Sequence, residues 1–161
     1  MIPTLIIIYT TGTGHTEFVV DLVMTTLATL IPDLRIVKQR AESSTPEDLM
    51  KGSVLLLACG SWNTNNLEGQ MSPFMHDLLA VRALKEDLKG MPAAVIGLGD
   101  DRYFFTAKAA DRMADYCQTH NAKLLLPALK IINEPFDQEK KIVAWTKEFA
   151  SKISDLPVTV Q

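Results

Sequence analysis

Two hydrophobic periods alternate along the chain. Leu5-Ile6-Ile7-Ile8-Tyr9, Val54–Cys59 and Ala93–Leu98 are short apolar runs without charge. Runs of this kind, bounded by turn signals, predict strands buried on both faces. Leu34–Lys38 alternates charged with apolar residues, and Lys123–Ile132 contains Pro127. A strand of either kind belongs at the edge of a sheet, because proline cannot donate to a ladder. Between these runs the apolar positions recur at helical spacing. Helices are predicted over His15–Leu30, Met71–Leu79, Phe105–His120 and Phe136–Ile153. The third places Ala109, Ala110, Met113, Tyr116 and Cys117 on one face, and the last carries Phe136, Ile142, Val143, Trp145 and Phe149.

Strand and helix alternate throughout, with no repeat, linker or low-complexity segment, so residues 1–161 are expected to form one domain. The alternation predicts an α/β fold: a three-layer α/β/α sandwich around a five-stranded parallel sheet. With strands 1, 3 and 4 central and 2 and 5 at the edges, the order is 2-1-3-4-5. The dinucleotide-binding order would place strand 3 at an edge instead. In such a sheet a ligand sits beyond the carboxyl ends of the strands, where the winding reverses between strands 1 and 3. The loops after strands 1, 3 and 4 are therefore the candidates for function.

The first of these loops lies within Tyr9-Thr10-Thr11-Gly12-Thr13-Gly14-His15-Thr16-Glu17, a strand-to-helix turn. It offers hydroxyls, glycine backbone and a helix N-terminus, but no lysine or arginine, which makes an uncharged anion site suited to one phosphate. It is not a Walker loop, because His15-Thr16 follows Gly14. It is not a dinucleotide fingerprint either, because Glu17 stands where a third glycine is needed. For His15 two roles stay open: a hydrogen bond to phosphate, or a ring facing water. The second loop reads Gly60-Ser61-Trp62-Asn63-Thr64-Asn65-Asn66-Leu67-Glu68, and the third reads Gly99-Asp100-Asp101-Arg102-Tyr103-Phe104. Trp62 and Tyr103, on neighbouring loops beside a phosphate cradle, can flank a flat ligand with a phosphate tail.

Composition narrows the class further. The 161 residues are 47% hydrophobic and 22% charged, with a formal net charge of −3, which argues against nucleic acid and against an anionic membrane surface. No apolar run approaches the ~20 residues of a membrane span, and neither a leader peptide nor membrane attachment is expected. Cys59 and Cys117 are far apart in apolar patterns, as buried thiols in a reducing cytosol would be. No nucleophile–base pair is visible, and no His/Cys cluster has metal spacing. His76 and His120 read as solvated helix residues. The chain reads as a holder of redox chemistry in which a cofactor supplies the reactivity.

With these residues in place, the chain resembles a flavodoxin. Thr11-Gly12-Thr13-Gly14-His15-Thr16 fits the family's phosphate loop, Ser61-Trp62 its second flavin loop, and Gly97-Leu98-Gly99-Asp100 followed by Tyr103 its third. The likeness covers nearly the whole chain in the right order. No inserted segment of ~20 residues interrupts the fifth strand, as in the short-chain type. The resemblance implies non-covalent FMN, with Thr11, Gly12, Thr13, Gly14, His15 and Thr16 on its phosphate and Trp62 and Tyr103 flanking its ring. Gly60, Ser61, Asn63, Leu98, Gly99 and Asp100 would meet the ring edge or the ribityl chain. It also implies a cytoplasmic, monomeric carrier, not an enzyme. Such a carrier passes single electrons at low potential, through semiquinone and hydroquinone states, from a reductase to an acceptor enzyme. An FMN-dependent reductase acting on a quinone is the alternative, and a flavin-free binding module a third reading. Three features depart from the family: His15 stands where Asn is frequent, the second loop is poor in acid, and Arg102 lies in the third loop. These departures bear on the potential and on the charge of the partners, not on the cofactor.

Overall fold

A computed structural model describes residues 3–64, 67–100 and 107–157. Its sheet is built on three central parallel strands, β1 (Thr4–Tyr9), β3 (Val54–Thr64) and β5 (Pro92–Gly99). β1 pairs with β3 from Leu5↔Val54, and β3 with β5 from Leu55↔Ala93. The charged strand β2 (Arg35–Arg40) lies outside β1 in parallel, at one edge. At the other edge the run predicted over 123–132 divides into β6 (Lys123–Leu124) and β7 (Leu129–Ile132), both parallel to β5. The break falls at 125–128, around Pro127, whose carbonyl accepts the indole N–H of Trp145 at 2.9 Å. Counting β6 and β7 as one position, the order is the 2-1-3-4-5 of the sequence reading.

Strict alternation along the central strands builds a core on each face. Leu5, Ile7, Leu56 and Ile96 face one layer, made by α1 (His15–Leu30) and α4 (Glu139–Ser154). α1 contributes Val19, Val23 and Leu27 there, and α4 contributes Ile142, Trp145 and Phe149. Ile6, Ile8, Leu55, Leu57 and Val95 face the opposite layer, which holds α2 (Pro73–His76) and α3 (Lys108–Thr119). α3 approaches β5 closely because Gly97 lacks a side chain: a Cβ there would stand 2.6 Å from the Ala110 nitrogen.

Three further elements differ from the sequence reading. The second loop is a hairpin: β3 runs on through Thr64 and pairs antiparallel with β4 (Leu67–Met71). The helix predicted over Met71–Leu79 begins later, at Pro73, a residue suited to a first helical turn. It then widens into a π-helical stretch over Asp77–Arg82. Arg82 closes that stretch, donating to Asp77 at 2.8 Å and to the Ser44 carbonyl at 2.6 Å. Phe136 precedes α4 instead of packing beneath it, and is 53% exposed.

Candidate functional site

Polar groups converge beyond the carboxyl ends of β1, β3 and β5. There a cleft of about 910 Å³ is lined by Thr11, Gly12, Thr13, His15, Thr16, Gly60, Ser61, Leu98, Gly99 and Asp100. All ten are sequence candidates, brought together from three separate loops. Gly14 makes the turn into α1 with φ +91°, a conformation glycine adopts without strain. Its N–H donates to Thr11 Oγ1 at 3.0 Å, and its carbonyl accepts the N–H of Phe18 at 2.9 Å. Gly14, the residue before α1, has no side chain to cap it, and the first-turn amides have no intrahelical partner. Trp62 and Asn63 lie on the backbone of β3 just past Ser61. Asp101, Arg102 and Tyr103 lie outside the described residues.

The site is anchored from below. Thr10 and Ser72, both buried, join hydroxyl to hydroxyl and tie the end of β1 to the start of α2. Ser61 Oγ accepts the N–H of Ala109 at 3.0 Å, holding the first turn of α3 to the end of β3. The Cys59 thiol nearby is pushed up to about 12 by burial, so it stays protonated and unreactive. Burial holds the Cys117 thiol at about 12 as well. Thr10, Ser72, Pro73, Phe74, Asn133 and Glu134 also line the cleft and were not among the candidates. Asn133 and Glu134 follow β7, so the rule that pointed to the loops after strands 1, 3 and 4 reaches the loop after the fifth strand too. The N–H of Asn133 (φ +70°) donates to the Gly99 carbonyl at 2.7 Å, joining that loop to the third one.

His15 lines the cleft with its ring edge-on to Phe136, centroids 5.3 Å apart. Phe136 also meets Phe18 at 4.9 Å. Behind the loop, Tyr9 donates to Glu17 Oε2 at 2.6 Å, and Lys38 reaches Glu17 at 3.3 Å and Asp21 at 2.8 Å. The hydrogen bond from Tyr9, helped by Lys38, holds the Glu17 carboxyl below the usual range. His120, expected to be solvated, stacks on Tyr116 at 3.8 Å and bonds the Leu84 carbonyl at 2.8 Å.

A doubly wound parallel sheet with a glycine- and threonine-rich loop at its switch point defines an α/β protein of the kind that takes a ligand beyond the carboxyl ends of its strands. The family model for flavodoxin matches residues 7–145, and the chain belongs to the flavodoxin family. It is similar to a "Probable flavodoxin 2" of Bacillus subtilis (strain 168), 23% identical over 152 residues that span 92% of this chain and 95% of the relative. Among solved structures, oxidised Flavodoxin 2 from Bacillus cereus superposes with a TM-score of 0.83 at 26% identity, covering 92% of this chain and 99% of that one. Oxidised Flavodoxin 1 from Bacillus cereus does so with 0.82 at 22% identity, covering 96% and 99%. Flavodoxins bind FMN and transfer electrons, and FMN is the cofactor of this chain. The described residues fit it: a helix N-terminus framed by threonines is chemically suited to a phosphate, and the cleft volume is in the range of small-ligand sites.

Proposed function

We propose that this chain is a low-potential carrier that takes electrons singly from a reductase and delivers them to an acceptor enzyme in the cytoplasm, as a monomer of one domain. The observation that carries the reading is the cradle: Thr11–Thr16 present backbone amides and hydroxyls, and no lysine or arginine is among the described lining residues. In this reading Thr11, Gly12, Thr13, Gly14, His15 and Thr16 hold the phosphate. Gly60, Ser61, Asn63, Leu98, Gly99 and Asp100 meet the ring edge and ribityl chain, and Trp62 and Tyr103 flank the ring. Bound FMN supplies the electron chemistry. The chain orients it, neutralises its phosphate with dipoles in place of charges, and shields one edge from water.

Titration of the apoprotein with FMN and riboflavin, followed by flavin fluorescence, tests the cradle. FMN should bind far more tightly, since riboflavin leaves the amides unpaired. Equal affinities would remove the phosphate assignment. Stepwise reduction of the holoprotein should give two separate one-electron potentials. Steady turnover of a quinone with NAD(P)H by the protein alone would replace the carrier with the reductase alternative.

A further inference from the structure

The first turn of α1 contains a carboxylate, Glu17, at its third position. A glutamate there ordinarily reaches back to the amide of the residue before the helix and closes the N-terminus. Here it does not. The Gly14 amide is taken by Thr11 Oγ1 at 3.0 Å, and Gly14 itself has no side chain to cap the helix. Glu17 is instead drawn sideways by two partners on the sheet, the buried Tyr9 hydroxyl of β1 at 2.6 Å and the Lys38 ammonium of β2 at 3.3 Å. Lys38 is held in turn by Asp21 at 2.8 Å, one turn further along α1. Arg40 lies over the Tyr9 ring, 5.7 Å from its centroid, and pairs with Glu42 at 4.0 Å.

We propose that Tyr9 and Lys38 are positioning residues that hold the Glu17 carboxylate off the amides of α1 and so keep the phosphate cradle open. The inference rests on the phosphate reading of the Thr11–Thr16 loop and deepens it. Released, Glu17 would compete with phosphate in two ways. It would occupy first-turn amides, and it would bring an uncompensated negative charge to the end of the helix that favours anions. The raised Lys38 ammonium, caused first by its bond to Asp21, and the lowered Glu17 carboxyl keep both partners charged at neutral pH.

The test is a mutant cycle read by flavin binding. Lys38→Met should weaken FMN binding by about tenfold, the size of a charge at a helix end, and leave riboflavin within about twofold. Tyr9→Phe, which removes a single hydroxyl, should weaken FMN by a few fold. In both backgrounds Glu17→Gln should return FMN affinity to within about threefold of the parent, because a neutral amide does not repel phosphate. Support is an FMN-specific loss that Glu17→Gln rescues. A loss shared equally by FMN and riboflavin, a loss that Glu17→Gln leaves in place, or no loss in either variant would overturn the proposal. If the parent itself binds FMN and riboflavin equally, the phosphate reading has failed, and the inference with it. If the parent prefers FMN and only the rescue fails, the inference alone has failed.

Discussion

At His15 the structure adds to the two roles the sequence left open a ring partner, Phe136, at 5.3 Å. An edge-to-face aromatic contact contributes about 0.5–1.5 kcal/mol beyond the area it covers. His15→Asn should therefore destabilise the apoprotein by about 1 kcal/mol while changing FMN affinity less than tenfold, because the loop amides remain. A urea titration and an FMN titration on the same variant separate the two effects. Phe136→Ala should cost more, since it removes the contact with Phe18 at 4.9 Å as well as the one with His15. Glu17 supports a second expectation, on acid. Its folded carboxyl lies below the ordinary value of 4.5, first because Tyr9 donates to it and next because Lys38 does. Its contribution to stability is therefore fully present above about pH 4.5 and is lost as the pH falls through the lower folded value. The gap in melting temperature between the parent and Glu17→Gln should be widest near neutrality and narrow progressively below pH ~4.5. A gap independent of pH would mean that the charge of Glu17 plays no part in stability.

Gly97 and Gly60 make a contrasting pair of tests for how helices and strands support the cleft. A Cβ at Gly97 would meet Ala110 Cβ at 2.5 Å and its backbone nitrogen at 2.6 Å, whereas at Gly60 nothing lies within 4 Å. Gly97→Ala must push α3 off β5, at a cost of about 1–3 kcal/mol or more. Gly60→Ala should leave the urea midpoint nearly unchanged, within about 0.5 kcal/mol, and lower FMN affinity by narrowing the cleft. Equal effects of both variants on folding would contradict the close approach of α3. The central strands were legible because burial on both faces demands uninterrupted Leu, Ile, Val and Ala, and charge marked the edge strand β2. α1 was legible at both ends, since Gly14 and the apolar spacing leave little choice. The β3–β4 hairpin was not, because Asn63-Thr64-Asn65-Asn66 has turn composition and the hairpin continues a buried strand without needing its pattern. Its register slips between Trp62↔Gln70 and Thr64↔Leu67, so residues 68 and 69 stand opposite Asn63. Such a bulge re-aims the backbone. The Asn63–Thr64 peptide thus sits where the ladder is interrupted, and a peptide that adjusts to the reduced flavin would be placed there. Asn63→Val, stiffer at χ1 and averse to positive φ, should bring the two one-electron potentials closer together. Unchanged potentials would assign that adjustment to another peptide.

The cleft gathers segments that are distant in the chain: the ends of β1, β3, β5 and β7 and the start of α2 all line it. Three of those ends were legible because the order of the strands alone says where the winding reverses. The fourth was missed because Asn133-Glu134-Pro135-Phe136 reads as the approach to a helix, and nothing in it announces that Asn133 donates to Gly99 across the sheet. A ligand seated among all four ends stabilises the whole molecule by linkage, since the unfolded chain holds no such site. At a free FMN concentration one hundred times its dissociation constant the gain is about 2.7 kcal/mol. For a chain of this size each kcal/mol moves the melting temperature by about 2–4 °C, so the holoprotein should melt about 5–11 °C above the apoprotein under that condition. Riboflavin at the same concentration should raise it far less if Thr11–Thr16 hold the phosphate as proposed, because it has none to offer them. Scanning calorimetry of apoprotein, FMN-loaded and riboflavin-loaded samples gives both numbers. A shift with FMN that riboflavin reproduces would mean that ring contacts at β3 and β5 supply the binding free energy and that the loop after β1 is only a turn. A shift much smaller than the affinity predicts would mean that part of the cleft opens without unfolding the sheet beneath it.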